Sequence, residues 1–307
     1  MEMRQVFASE LEKIMGENEK VCIVDADLAR ASATLGIRAR YPERALDVGV
    51  AEANMASIAA GLSSYGFIPF ITSFAPFATR RCYDQIAISI AYARQNVKIV
   101  GTDPGISAEL NGGTHMAFED VSIMRTIPTM VVFEPVDAIQ VRKAMPQIVA
   151  HNGPVYIRLF RRELPNIFTE DYEFELFKAD VLQEGTDVTI LATGIMVQKA
   201  LDAVIQLKTQ NISAEVINVH TIKPLDEHTI LASIRKTGKA VTAENHNVIG
   251  GLYSAISELT AAHYPVPIAR VGIEDEFGEV GTINDLVTRY QLTSSAIIEK
   301  CLKVLEK

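Results

Sequence analysis

Short runs of apolar residues alternate with stretches of helical period along the whole chain. VCIVD (21–25), ALDVG (45–49), FIPFI (67–71), VKIVG (97–101), MVVF (130–133) and VYIR (155–158) read as strands. Most lack polar alternation, as expected where helices cover both faces of a parallel sheet. Between them, Phe7, Leu11 and Ile14 share one helical stripe, and Met55, Ile58, Ala59 and Leu62 share another in a helix over residues 51–64. A third helix is expected over residues 78–94, and Pro135 is placed to open a fourth at its first turn. The alternation predicts an α/β fold: a doubly wound, mostly parallel sheet with helices on both faces and right-handed crossovers.

From Arg161 to Gly185 the pattern breaks, with charge, aromatics and one proline mixed without period. Alternation resumes with VTILAT (188–193), AEVINVH (214–220), KAVTAE (239–244) and PIARVG (267–272), and a last helix is expected near Ser294–Leu305. The expected organisation is a first domain over 1–165, a linker over 166–185 and a smaller α/β domain over 186–307. A length of 307 residues suits two domains.

Charge narrows the function. With 29 Lys+Arg against 38 Asp+Glu the net charge is −9, which argues against a nucleic-acid partner or a membrane surface. No apolar run reaches the roughly 20 residues of a membrane span, and MEMRQVFASELEKIMG does not read as a signal peptide. Cys22, Cys82 and Cys301 lie too far apart for a disulfide framework or a zinc site. The expectation is a soluble, cytoplasmic protein. Phosphate-loop and dinucleotide signatures are absent. Asp25/Asp27 and Glu274/Asp275/Glu276 lack spaced companion ligands, and His220, His228, His246 and His263 form no i,i+4 pair, so no metal site is expected in this chain.

Three loops after strands of the first half carry candidate chemistry, at the edge where open α/β sheets bind ligands. DVGVAEANM (47–55) puts Glu52 in the first turn of a helix. Helix-dipole stabilisation is one reading of that position. The apolar neighbours Val48, Val50, Ala51, Ala53 and Met55 support another, a proton-sharing acid with a raised pKa. TSFAPFATRR (72–81) offers Phe74 and Phe77, either as core or as the floor of a slot for a flat heterocycle. LNGGTHMAFED (110–120) places His115 beside Gly112-Gly113, a pair that permits close backbone approach.

In this order, these loops resemble the pyrimidine-binding and C-terminal domains of transketolases, most of all split transketolases in which the two domains form a separate subunit. The similarity runs through VDADL (24–28), YPERALDVGVAEANM (41–55), TSFAPFATRRCYDQI (72–86), NGGTHMAFEDVSIMR (111–125), TIKPLD (221–226) and DEFGEVG (275–281), covering nearly the whole chain. It implies thiamine diphosphate as cofactor. Glu52 would share a proton with the aminopyrimidine ring and favour its imino form, whose 4′-nitrogen deprotonates the thiazolium. Phe74 and Phe77 would wall the pyrimidine, Asp27, Leu28 and Val50 would lie by the thiazolium, and His115 would contact oxygen atoms of the donor sugar. Arg161, with Arg158 as near neighbour, would hold a sugar-phosphate terminus.

Two departures from the family pattern concern the sugar. Asn111 stands where full-length transketolases carry an aspartate that contacts a donor hydroxyl. A second phosphate-holding histidine is replaced within GTDPG (101–105), with Thr102 as the expected replacement. The Gly-Asp-Gly motif and following Asn that hold diphosphate and metal in the family have no match in the chain. The resemblance therefore implies a separate N-terminal subunit carrying Mg²⁺ (or Ca²⁺), a self-associating homodimeric core and an α₂β₂ assembly acting on sugars or sugar phosphates of the pentose phosphate type. Three alternatives stay open at this point. They are a 1-deoxyxylulose-5-phosphate synthase-like half, a 2-oxoacid dehydrogenase β subunit and a non-catalytic scaffold. In the second domain, ENHNVIGGL (244–252) reads as a strand-to-helix turn, with Glu244 and His246 near an interface rather than in catalysis.

Overall fold

The apolar runs are strands, and their places in the sheets explain their composition. The computed structural model describes residues 1–306. The first half contributes β1 (Val21–Asp25), β2 (Ala45–Asp47), β3 (Ile68–Phe74), β4 (Lys98–Thr102), β5 (Val131–Phe133) and β6 (Val155–Leu159). The second contributes β7 (Asp180–Gln183), β8 (Val188–Ala192), β9 (Ala214–Asn218), β10 (Thr221–Lys223), β11 (Ala240–Asn247) and β12 (Ile268–Ile273). They form a seven-stranded sheet, order β10-β5-β6-β4-β3-β1-β2, and a five-stranded sheet, order β12-β11-β8-β9-β7. Every pair is parallel except β10 with β5 and β7 with β9. Every residue of β1, β4 and β6 is buried, the charged Asp25, Lys98 and Arg158 included, as expected for central strands covered on both faces. This is the two-domain α/β architecture expected from the sequence.

The two antiparallel edge strands depart from that reading. β7 lies within the segment expected as a linker, and β10 lies in the second half yet closes the first sheet. Each has only three or four residues of mixed polarity, so no local period announces it, and each gains its place by pairing with a distant partner. The helix expected over 78–94 is broken into a short helix Ala75–Ala78, a turn Arg80–Cys82 and a wider coil Ile86–Tyr92. The hydroxyl of Thr79 donates to the Ala75 carbonyl at 2.6 Å and the thiol of Cys82 to that of Phe77 at 3.3 Å, bonds that compete with a regular helical ladder. Pro135 does not open the fourth helix, which runs Ala138–Ala150. Asp137 caps it by accepting from the Gln140 amide at 2.8 Å. The last helix occupies Ser294–Leu305 as expected.

The two halves are locked by a buried ionic cluster. Arg158, fully buried on β6, donates through Nε to Asp120 at 2.7 Å and through Nη1 to Glu134 at 2.6 Å. Its Nη2 reaches the Asn245 carbonyl of β11 at 2.8 Å. Tyr156 donates to Asp120 at 2.6 Å, and Thr193, just past β8, donates to Glu134 at 3.0 Å. One guanidinium thus spans both sheets.

Candidate functional site

The C-terminal ends of β6, β4, β3, β1 and β2 lie side by side in that order, so the loops that follow them share one edge. The helix Glu52–Ser64 starts there, and Glu52 at its first position is only 3% exposed. Its Oε1 accepts from Nη1 of Arg81 at 2.7 Å. The same guanidinium lies 3.7 Å above the Phe77 ring, a cation–π contact. Phe77 and Phe74 are tilted neighbours with centroids 6.1 Å apart, and the His115 imidazole stands edge-on to both, 5.2 Å from Phe77 and 6.0 Å from Phe74. The Thr114 hydroxyl fixes the ring through Nδ1 at 2.9 Å. Three separate loops therefore bring a buried carboxylate, two aromatic rings and an imidazole into one cluster.

Two aspartates hold the loops on the β1 side. The buried Asp25 accepts from the Leu28 amide at 2.6 Å and the Thr72 hydroxyl at 3.0 Å, and burial raises its pKa. Asp47 accepts from the amides of Gly49 at 2.9 Å and Asp27 at 3.1 Å and pairs with Arg38 at 2.7 Å. The Gly49 hydrogen bond leads the causes that lower its pKa. These bonds set Asp27, in a left-handed conformation with φ of 61°, and the half-buried Leu28 beside the loop that carries the exposed Val50. Asp25 is thus an anchor of loop backbone rather than the solvated loop end or metal ligand weighed from sequence.

The loop of His115 is pinned from the second domain. A Cβ added to Gly113 would run into the Gly278 carbonyl oxygen, and one added to Gly278 would come within 3.0 Å of the Gly113 Cα. The backbones touch because neither residue has a side chain. Asn111 on this loop is exposed.

Arg161 stands at the end of β6 with about a third of its side chain exposed, paired with Asp103 through Nη1 at 3.0 Å. One expectation is corrected here. Arg158 does not face the site. It is fully buried and committed to Asp120 and Glu134, which raise its pKa against the opposing effect of desolvation, so it has no exposed donor for a sugar terminus. Thr102 is also fully buried, with its hydroxyl turned to the Ser73 carbonyl at 3.4 Å, and the neighbour facing Arg161 is Asp103. Sequence reasoning missed Arg81 and Asp103. Arg81 follows Phe77 at i,i+4, a visible signal. The partner of Asp103 lies 58 residues away and left none.

The residues suit a flat, nitrogen-containing heterocycle, since an aromatic pair lies beside a buried carboxylate with one oxygen already charge-paired. Residues 1–166 match the family model of the transketolase pyrimidine-binding domain, and 177–297 that of the transketolase C-terminal domain. This chain belongs to the transketolase family. The family's pyrimidine-binding domain implies thiamine diphosphate.

Relatives that are themselves separate transketolase subunits match this chain over nearly their full length, whereas a 1-deoxy-D-xylulose-5-phosphate synthase of Geobacter sulfurreducens, 35% identical over 90% of this chain, is matched over 44% of its own. The 6-deoxy-6-sulfo-D-fructose transketolase subunit of Clostridium sp. (strain MSTE9) is 54% identical over 99% of this chain and 95% of that protein. An apulose-4-phosphate transketolase subunit of Phocaeicola vulgatus is 34% identical over 99% of this chain and 97% of its own. A solved split-gene transketolase, described as an inactive β4 tetramer, superposes with a TM-score of 0.93 at 41% identity, covering 100% of this chain and 99% of that one. The chain is thus similar throughout to subunits of split transketolases. Among the described residues, no group of three or more His, Cys, Asp or Glu could hold a metal ion, and no helix is long and apolar enough to cross a membrane.

Proposed function

We propose that this chain is the C-terminal subunit of a two-component transketolase, holding the pyrimidine half of thiamine diphosphate while an N-terminal subunit holds the diphosphate and Mg²⁺. The reaction moves a two-carbon ketol unit. The C2–C3 bond of a ketose donor breaks to release an aldose two carbons shorter, and the unit joins the aldehyde carbon of an acceptor aldose. The observation that carries this reading is the meeting of buried Glu52, Phe74, Phe77 and His115 on one sheet edge.

The cofactor, when bound, supplies the electron sink that makes cleavage next to a ketose carbonyl feasible. Glu52 holds a proton at the aminopyrimidine, in a pocket where burial keeps water from competing for the carboxylate. Phe74 and Phe77 form the apolar wall that orients the ring. Asp27 and Leu28, held by their amide bonds to Asp47 and Asp25, would lie with Val50 beside the thiazolium. His115, held by Thr114, donates to or accepts from oxygen atoms of the donor, and Asn111 lies on the same loop to meet a hydroxyl without adding charge. Arg161 receives an anionic sugar terminus. The 54% identical relative supports a donor of the 6-deoxy-6-sulfofructose type.

A β4 tetramer described as inactive supports the need for a second subunit, and the simplest assembly is α₂β₂ around a core of this chain. The test is to combine the chain with a Gly-Asp-Gly-containing partner, thiamine diphosphate and Mg²⁺, then assay a ketose donor plus an aldose acceptor against pyruvate plus an aldehyde. Aldose release from the ketose is expected. Turnover of pyruvate alone would transfer the chain to the 1-deoxyxylulose-5-phosphate synthase or 2-oxoacid dehydrogenase class.

A further inference from the structure

Glu52 and Phe77 are engaged by one guanidinium. Nη1 of Arg81 donates to Oε1 of Glu52 at 2.7 Å, and the Arg81 Cζ lies 3.7 Å from the centre of the Phe77 ring. Phe74 and His115 are inclined to Phe77 by 49° and 69°, so neither lies flat on it, and the group over its face is Arg81. An aromatic ring laid on that face would rest about 3.5–4.0 Å away, the ordinary contact distance between carbon atoms. The guanidinium fills that same layer. A heterocycle that stacks here and bonds Oε1 of Glu52 therefore meets Arg81 at both places.

The two partners of this ion pair differ in what they lose on separation. The Arg81 side chain is 44% exposed and has no other hydrogen-bond partner among the described residues, so it can turn out into water. Its neighbour Arg80 donates to a different acid, Glu119, at 2.6 Å. Glu52, with 3% of its side chain exposed, would be left as a buried charge unless another donor arrived. A protonated aminopyrimidine is such a donor. Like a guanidinium it is flat and spreads a positive charge over an N–C–N unit, a shape that pairs with a carboxylate and lies on an aromatic face.

Resting on the transketolase reading, we propose that Arg81 is a built-in competitor for the aminopyrimidine seat, so that the cofactor ring takes its place on Glu52 and Phe77 by displacing it. The carboxylate keeps a cationic partner before and after the exchange. Part of the binding free energy goes into breaking the Arg81 contacts, so Arg81 lowers the apparent affinity for the cofactor. A permanent cap, with the ring held by the other Glu52 oxygen, predicts the opposite sign, since loss of Arg81 would then weaken binding.

The test measures cofactor binding rather than turnover. The two-subunit complex, dialysed free of cofactor, is titrated with thiamine diphosphate at fixed Mg²⁺ in a calorimeter. Arg81→Ala is expected to lower the apparent Kd by about fivefold, the combined worth of a half-exposed ion pair and a cation–π contact. Should Arg81→Ala fail to assemble, the wild-type complex decides by phenylglyoxal labelling of its arginines, read by mass spectrometry. Labelling of Arg81 relative to Arg80 must rise when thiamine diphosphate is added. An equal or higher Kd in Arg81→Ala, or Arg81 labelling that stays level or falls, overturns the proposal and leaves the transketolase reading standing. A wild-type complex that binds no thiamine diphosphate overturns that reading, and the proposal with it.

Discussion

Oε1 of Glu52 accepts from Nη1 of Arg81 at 2.7 Å, while the same guanidinium lies 3.7 Å above Phe77. A carboxylate with 3% of its side chain exposed thus has a half-exposed cationic cap, and its pocket is not wholly apolar. The cap is reached from the neighbouring loop because Phe77 and Arg81 are four residues apart across an irregular turn.

Removing the cap should leave Glu52 without its charge partner. Arg81→Ala is expected to lower the stability of the isolated chain by about 1 kcal/mol, a buried-pair cost discounted for the exposure of Arg81. In a double-mutant cycle with Glu52→Gln, urea denaturation should give a coupling of about 0.5–1 kcal/mol. Simple additivity would show that the pair contributes nothing.

The Arg158 cluster predicts a larger effect away from the site. Arg158→Met strands Asp120 and Glu134, both buried, without a countercharge. The cost is about 3–5 kcal/mol, enough to lower the melting temperature by many degrees or abolish soluble expression. Arg161→Met, at the partly exposed rim, should cost far less. Equal effects of the two in thermal melts would contradict the placement of Arg158.

Acid should weaken the domain lock through His246. Its Nδ1 bonds the Asn247 carbonyl at 2.6 Å and its Nε2 accepts from the Ser122 amide at 3.4 Å, an arrangement that needs the neutral ring. Burial lowers its pKa to about 4, against about 6.5 in an unfolded chain. Between those values the unfolded chain binds the extra proton. Stability is therefore full above pH 6.5 and is lost as pH falls towards 4, by at most about 3 kcal/mol from this group. His246→Gln should flatten the pH dependence of the denaturation midpoint in that interval. His220, also lowered to about 4 by burial, keeps its own contribution of the same sign. Identical slopes in wild type and variant would contradict the neutral-ring assignment.

The Gly113–Gly278 contact predicts loss of activity without loss of the fold. A methyl group on residue 113 collides with backbone, which cannot swing aside like a side chain, so the loop carrying His115 must shift. Gly113→Ala is expected to lower kcat/KM of the reconstituted enzyme by about 10²-fold, with near-native circular dichroism. Unaltered kinetics would show that the loop position is unimportant.

The central strands were legible because each is a mostly apolar run covered on both faces, and β1, β4 and β6 fall within a residue of their expected bounds. β7 and β10 were not legible, since an edge strand of three or four mixed residues is specified by its partner. At the site, the loops after β2 and β3 and the Gly112-Gly113 pair carried readable signals. Arg158 misled because its place on a strand was visible and its buried partners Asp120 and Glu134 were not. Asp103 escaped because its meaning depends on Arg161, which only the adjacency of β4 and β6 brings near.

The central claim is that the buried carboxylate at position 52 handles a proton on the cofactor ring. Its most direct test is the turnover of the reconstituted two-subunit enzyme with Glu52→Gln, an isosteric change that keeps the pocket's shape. The account predicts that kcat with a ketose donor falls by about 10²–10⁴-fold while the complex still assembles. A Glu52→Gln enzyme that assembles and turns over at the wild-type rate would contradict it.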